Sequence, residues 1–330
     1  MLRVEDLHAD LCVVGGGLAG VCMALAAARS GAETLLVHNR PVLGGNSSSE
    51  VRVVPAGAGN QLAWARETGI VDELLLADRA ANHAQFWENG LTNSTWDLTL
   101  LNAVRAQSSL TVVLNAAAHA AELCDDSGLA GRRIRSLDVL QLTTEKRLRV
   151  TATQFADCTG DGTIGYLAGA DSSYGREPRA AHGEPLAPVE ADDVTSGATL
   201  CIRCVDTGRE VPYCAPDWAV RFETEQEIGR ELRNIHRPEF GGFWWLEIGH
   251  PYHQIEQAEA VRDELQRYAI GVWDFIKNRH PDRARFASYA LEWIGAVPGK
   301  RESRRLLGDV VLTEGDCHRA TLWPDRIGTG

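Results

Sequence analysis

Three glycines that interrupt a short apolar run constrain this chain more than any other feature. Residues 10–20 read Asp-Leu-Cys-Val-Val-Gly-Gly-Gly-Leu-Ala-Gly. The apolar stretch 11–14 stops at the glycines, and a small-residue helical pattern over 18–28 follows at once. This is the strand–turn–helix of a dinucleotide-binding fold, with Gly15, Gly17 and Gly20 in the G-x-G-x-x-G places. Gly15 permits the tight turn. Gly17 has no Cβ, so a pyrophosphate can approach the backbone, and Gly20 lets the helix pack close to the strand. The helix start offers free N–H groups and a partial positive charge to phosphates. The expected cofactor contacts here are Gly15, Gly16, Gly17, Leu18, Ala19 and Gly20. The position of the motif, after a strand and before a helix, favours cofactor binding over a chance glycine turn.

The rest of the chain is compatible with that start. Its 330 residues suffice for about two domains. The net charge of −12 argues against nucleic acid or an anionic membrane as the main partner. No apolar run approaches the ~20 residues of a membrane span. The polar stretch 1–10 is unlike a signal peptide, so a cytoplasmic location is expected. Eight scattered cysteines in that setting are expected to remain free thiols. Cys201 and Cys204 form the one C-x-x-C, but on an apparent strand, where residues three apart face opposite ways. Packing is therefore the expected role, and the neighbouring His250 and His253 do not make a convincing metal site with them. No metal is expected.

Residues 34–38 read as the second strand. Its end normally carries an acidic residue for the ribose hydroxyls. Here the positions hold His38 and Asn39, followed by Arg40, and no acid. His38 or the Asn39 amide is the substitute available. A second glycine turn, Gly44-Gly45-Asn46-Ser47, comes next, followed by a strand-like 50–54. Helices are expected over 62–81 and 96–105, and strands over 110–114, 134–142 and 147–152, the last two as a hairpin. Residues 155–162 end a strand in a third glycine turn. Proline and acids over 177–194 suggest an extended crossing. Strands over 198–205 and 243–248 follow, then a strongly periodic helix over 256–278 and a strand-like 306–312.

With three glycine turns in this order, the chain resembles the FAD-dependent oxidoreductases of the glutathione-reductase-like flavoprotein superclass. Within it, the chain is similar to the family that includes heterodisulfide-reductase-A-like flavoproteins. The resemblance rests on residues 13–20, on Arg40-Pro41-Val42-Leu43-Gly44-Gly45-Asn46, on Asp157-Cys158-Thr159-Gly160-Asp161-Gly162, on Phe243-Trp244-Trp245-Leu246-Glu247, on Gly271-Val272-Trp273-Asp274, and on Pro298-Gly299-Lys300-Arg301-Glu302-Ser303-Arg304-Arg305. It implies an α/β fold: a Rossmann-like FAD-binding domain, 1–175 continued by 299–330, with an inserted, mostly β substrate domain over 176–298. It implies that Gly44, Gly45, Asn46 and Ser47 pass beside the flavin or its phosphates, and that Thr159, Gly160 and Asp161 close over the cofactor. FAD is expected to be non-covalent, because Ser47-Ser48-Ser49 stands where succinate-oxidising relatives carry a histidine. Ferredoxin-type cysteine runs are absent. Such flavoproteins return to the nucleotide domain with a final glycine turn and helix. This chain stops at Gly328-Thr329-Gly330, so it reads as a truncated member, with a naturally short variant as the alternative.

The reaction expected from the resemblance is flavin-mediated dehydrogenation or reduction of a small polar substrate, carbohydrate-like or carboxylated, with an unidentified electron acceptor and with homo-oligomer formation open. The rivals are a nicotinamide-dependent dehydrogenase and a non-catalytic flavin-binding protein. Such chemistry needs a proton acceptor, or donors for developing charge. Arg301 and Arg304 are candidates to clamp a carboxylate, against a plain salt-bridged cluster with Glu302. His250 is the candidate proton acceptor, with His253 beside it. One of Trp244 and Trp245 can stack on a ring while the other packs inside. A Glu50–Arg52 pair beside the serine turn is a further candidate, against an ordinary ion pair.

Overall fold

The computed structural model describes residues 2–55, 69–81, 95–126, 131–229 and 243–324. In chain order the elements are β1 (Arg3–Val14), α1 (Leu18–Arg29), β2 (Thr34–Val37), α2 (Ile70–Ala81), α3 (Trp96–Arg105), β3 (Leu110–Val113), β4 (Ala116–Asp126), β5 (Gly131–Gln141), β6 (Lys146–Asp157) and α4 (Thr163–Leu167). There follow β7 (Ser172–Ser173), α5 (Arg179–His182), β8 (Ala198–Asp206), α6 (Glu225–Ile228), β9 (Phe243–Ile248), α7 (Ala258–Asn278), β10 (Tyr289–Ile294), β11 (Arg305–Leu306) and α8 (Glu314–Arg319). The fold is α/β, as expected. The part of the expected 62–81 helix before residue 69 lies outside the described residues.

The main sheet has the order β3-β2-β1-β6-β5-β4. Its first four strands are parallel, and β5 and β4 continue it antiparallel as a meander. Side chains alternate across this sheet as the pleat requires. Val13 and Leu36 pack on one face with Val21, Leu25, Leu74, Leu100 and Val104 of α1, α2 and α3. Cys12, Val14, Leu35 and Val37 pack on the other with Leu137, Val139 and Ile164. Both faces are buried, which is why β1 and β2 end in near-continuous apolar runs. The register aligns Val14 with Val37 and with Asp157, so three strands finish side by side. Every glycine turn that follows them emerges at one edge, the usual ligand edge of an open parallel sheet.

A second, antiparallel sheet has the order β10-β8-β9. One face, with Ala198, Leu200, Ile202, Cys204 and Leu246, is covered by Val261, Leu265, Ala269, Val272, Trp273 and Ile276 of α7. The tryptophan of that helix is core. Gly271 is required in mid-helix because a Cβ there would lie 1.9 Å from the Val220 carbonyl oxygen. The Lys277 ammonium is buried near the helix end and donates to the carbonyls of Phe286, Ala287 and Tyr289, each at 2.8 Å.

Two segments differ from expectation, and a third, β4, lies where no element was expected. Residues 50–54 are not a strand: Val51 and Arg52 donate back to the Ser48 carbonyl, Val53 donates to Asn46, and Arg52 has φ 61°. The loop closes on itself, so no neighbouring strand can pair with it. Of 306–312, only Leu306 is in a strand, because its partner β7 is two residues long. The alanine-rich β4 carries a helical composition, yet its pairing with β5 holds it extended, with irregularities near Ala118 and Glu122. Local propensity yields to the sheet there. Among the described residues, no helix is long and apolar enough to cross a membrane.

Candidate functional site

A cleft of about 590 Å³ opens where β1, β2 and β6 end. One wall is made of the three turns: Gly15, Gly17, Leu18 and Ala19; then His38 to Arg40 and Gly44 to Ser47; then Cys158 to Asp161. The opposite wall is Val297, Pro298, Lys300, Arg301 and Ser303.

The glycine wall leaves no room for side chains. Gly15 has φ 108°, and a Cβ on it would lie 2.1 Å from the Cys158 carbonyl oxygen. A Cβ on Gly20 would lie 1.8 Å from the Gly15 oxygen, so α1 sits directly against the turn. Gly17 faces the Cα of Gly45 at 3.9 Å from its ideal Cβ, and Gly44 donates its N–H to the Gly16 carbonyl at 2.8 Å. The first two turns thus lie backbone to backbone. The start of α1 has no side-chain cap and no acidic residue in its first turn. Its amides and dipole are left for an anion. Gly16 and Gly20 do not line the cleft; they shape the turn that does.

His38 is buried and turned into that turn. Its Nδ1 accepts the Gly16 N–H at 2.9 Å. Burial, the main influence, pulls its pKa below the ordinary 6.5, with the Val42 carbonyl and Glu50 acting the other way. The imidazole therefore braces the backbone through Nδ1. Asn39 beside it is exposed. Arg40 is bound to Glu50 through two hydrogen bonds, at 2.9 and 2.5 Å. The expected Glu50–Arg52 pair is not formed: Arg52 lies with its guanidinium 5.2 Å from the Trp293 ring centroid.

The second turn is held from both sides. Ser47 Oγ donates to the Gly44 carbonyl and accepts from the indole N–H of buried Trp96, both at 2.9 Å. Its hydroxyl is a brace between the turn and α3. The Ser49 amide and hydroxyl both donate to Asp97. Asn46 Nδ2 donates to the Lys300 carbonyl at 2.7 Å. In the third turn the capping acid is Asp157, not Asp161. Asp157 accepts from the amides of Thr159, Ile164 and Gly165 at 2.7–3.0 Å. Asp161 instead accepts from the Lys300 ammonium and, at 2.6 Å, from the Ser303 hydroxyl.

The candidate catalytic residues separate. Arg301 lines the cleft, and one guanidinium nitrogen lies 3.0 Å from each oxygen of Glu247. Arg304 does not line it; its guanidinium lies 3.6 Å from the Tyr166 ring centroid, where a cation is held by the aromatic face. His250 is also outside the cleft wall, exposed and 3.4 Å from Asp193. His253 stacks on Tyr174, with ring centroids 4.1 Å apart. Arg305 pairs with Glu177 and Glu302. Trp245 is exposed on β9 opposite Cys201; the side chain of Trp244 lies outside the described residues. Cys201 and Cys204 are buried, and burial pushes their thiols up to about 12 and about 11. They are packing residues. Among the described residues, no three His, Cys, Asp or Glu are placed to hold a metal ion. Lys300, Ser303, Glu247 and Trp96 were not singled out from the sequence, although Lys300 and Ser303 sit inside the 298–305 motif and Glu247 inside the 243–247 motif.

Residues 10–330 match the family described as FAD dependent oxidoreductase. No curated protein matches the chain. Among solved structures, THI4 of Thermovibrio ammonificans is 21% identical with a TM-score of 0.37, over 56% of this chain and 76% of that one. A geranylgeranyl bacteriochlorophyll reductase-like protein of Thermoplasma acidophilum is 18% identical with a TM-score of 0.49, over 89% of this chain and 66% of that one. The glycerol-3-phosphate dehydrogenase of Bacillus halodurans, solved with FAD, is 14% identical with a TM-score of 0.41, over 79% of this chain and 52% of that one. The chain thus spans about half to three quarters of the length of these relatives. A cleft walled by bare backbone turns at an uncapped helix start suits a pyrophosphate, and the chain belongs to the FAD dependent oxidoreductase family, with FAD as its cofactor.

Proposed function

We propose that this protein oxidises or reduces a small polar substrate, carboxylated or carbohydrate-like, at the cleft between the glycine turns and residues 297–303. The observation that carries the reading is Arg301. It is the expected catalytic arginine that lines the cofactor cleft, and Glu247 orients it. When bound, FAD supplies the two-electron step.

The remaining roles fall to this chain's own residues. Gly15, Gly17, Leu18 and Ala19 hold the pyrophosphate with backbone amides. Gly44, Gly45, Gly160 and the Asn46 backbone keep side chains out of the cofactor's path. Lys300 is neutralised by Asp161, so the far wall adds no unbalanced charge of its own at that point. Arg301 keeps further N–H donors beyond the one that meets Glu247, in a planar fork suited to a carboxylate or a pair of hydroxyls. Arg304 and His250 have no substrate contact in this reading. The second sheet with α7 serves as the substrate domain, 176–298, and it supplies Glu247 from β9.

The test is anaerobic reduction of the FAD-loaded protein by a panel of hydroxy acids, sugars and sugar acids, read as loss of flavin absorbance. The expected result is bleaching by an anionic or polyhydroxylated donor. The Arg301→Lys variant should need roughly tenfold more donor, since it loses a bidentate contact. Bleaching that is indifferent to Arg301 would sink its assigned role. A flavin that no donor reduces would favour the non-catalytic alternative.

A further inference from the structure

Dinucleotide folds use an acidic residue at the end of the second strand to accept from ribose hydroxyls. This chain has His38 there, with no carboxylate to offer, and its Nδ1 is committed to the Gly16 N–H. A carboxylate nonetheless stands in the same part of the cleft. Arg40, two residues past His38, holds Glu50 through Nε to Oε2 at 2.9 Å and Nη2 to Oε1 at 2.5 Å. Both residues line the cleft. Glu50 is also near enough to His38 to be the main charge favouring protonation of its ring.

The placement of Glu50 is fixed from several directions. Its carbonyl accepts the Ala296 amide at 3.2 Å. Its neighbour Ser49 is tied to Asp97 on α3. Its side chain is 17% exposed, and the residue lines the cleft. A carboxylate has about four acceptor sites, and Arg40 occupies one on each oxygen. The remaining sites suit hydroxyl donors. They repel phosphate, so this point of the cleft selects a polyol segment and not the pyrophosphate. Preorganisation of this kind is what a binding group needs and what a flexible surface ion pair lacks.

We infer that Glu50, delivered by Arg40, accepts hydrogen bonds from the ribose hydroxyls of the adenosine half of FAD and so replaces the acid missing from position 38. The inference rests on the FAD site described above. The competing account is that Glu50 and Arg40 only brace the 44–50 loop.

The two accounts separate on ligand chemistry. Apoprotein is titrated with FAD and with an FAD analogue carrying 2′-deoxyadenosine, following flavin fluorescence. A hydrogen bond to a charged group predicts that wild-type protein binds the analogue about tenfold to a hundredfold more weakly than FAD. Glu50→Gln should weaken FAD binding by a similar factor and bring the two ligands within about twofold of each other. A variant that weakens both ligands equally, and so keeps the wild-type preference, assigns Glu50 to the brace and overturns the inference. Wild-type protein that does not distinguish the ligands overturns it without any variant, while leaving the FAD site intact. Wild-type protein that takes up no FAD overturns the cofactor site and this inference together.

Discussion

The two walls of the cleft are built by opposite means. The glycine wall is short-range: each turn directly follows its own strand, and its shape comes from backbone that tolerates no Cβ. The wall at 297–303 is long-range. It is tied down by Asp161 to Lys300 and Ser303, by Asn46 to the Lys300 carbonyl, by Glu247 to Arg301, and by the mutual backbone bonds of Thr199 and Gly299 at 2.8 and 2.9 Å. The first wall is rigid because steric alternatives are excluded. The second is held by polar pairs, several of them partly exposed, and each is worth little alone. Binding strength should therefore reside in the glycine wall, and closure over the ligand in the second.

The largest break is expected at Gly20. Gly20→Ala drives a Cβ into the Gly15 carbonyl, which is backbone and cannot step aside. Overpacking of this kind should cost roughly 3 kcal/mol and displace the turn, with loss of bound FAD. A urea titration together with the flavin spectrum checks both, and an unchanged spectrum would contradict the close packing of α1 on the turn.

A smaller and separable effect is expected at Asp161. Asp161→Ala strips Lys300 and Ser303 of their partner while leaving the glycines and the backbone of the first wall in place. Partial exposure of the pair limits the cost to about 1–2 kcal/mol. FAD should still bind, but hydrogen exchange over 298–305 should rise. Exchange that rises equally over 15–20 would dissolve the contrast between the walls.

The smallest effect sharpens the first wall by pH. His38 has a folded-state pKa below its ordinary 6.5, chiefly through burial. The unfolded chain then takes up the proton first, so the contribution of His38 is complete above that value and is lost as pH falls below it. Protonation also removes the lone pair that accepts the Gly16 N–H. Stability of the FAD-loaded protein should decline below about pH 6.5, and His38→Asn, which keeps an acceptor without titrating, should flatten the decline. Equal acid sensitivity in both proteins would assign the decline to other groups.

Much of the glycine wall could be read from residue order alone. A short continuous apolar run, a turn needing positive φ, and a helix of small residues are local requirements, and 10–29 met them without help from elsewhere. The helices at 96–105 and 258–278 were equally readable from their apolar spacing. The strand at 116–126 was not, because alanine has no local reason to extend and only the β5 ladder makes it do so. The strand expected over 50–54 failed for the converse reason: its apolar and β-branched residues had no partner edge. Among the site residues, Arg301 and Arg304 were equal candidates in sequence for a carboxylate clamp, and His250 for a proton acceptor. Distance in space sorted them, to Glu247, Tyr166 and Asp193 respectively.

The sequence by itself determined the three glycine turns, since backbone conformation and missing side chains are properties of the residues concerned. Tertiary structure alone decided which charges line the cleft beside them. Asp161 and Lys300 are 139 positions apart, and Glu50 chose Arg40 over Arg52. Such pairings depend on where the folded backbone places each carboxylate, and no local rule of spacing carries that information.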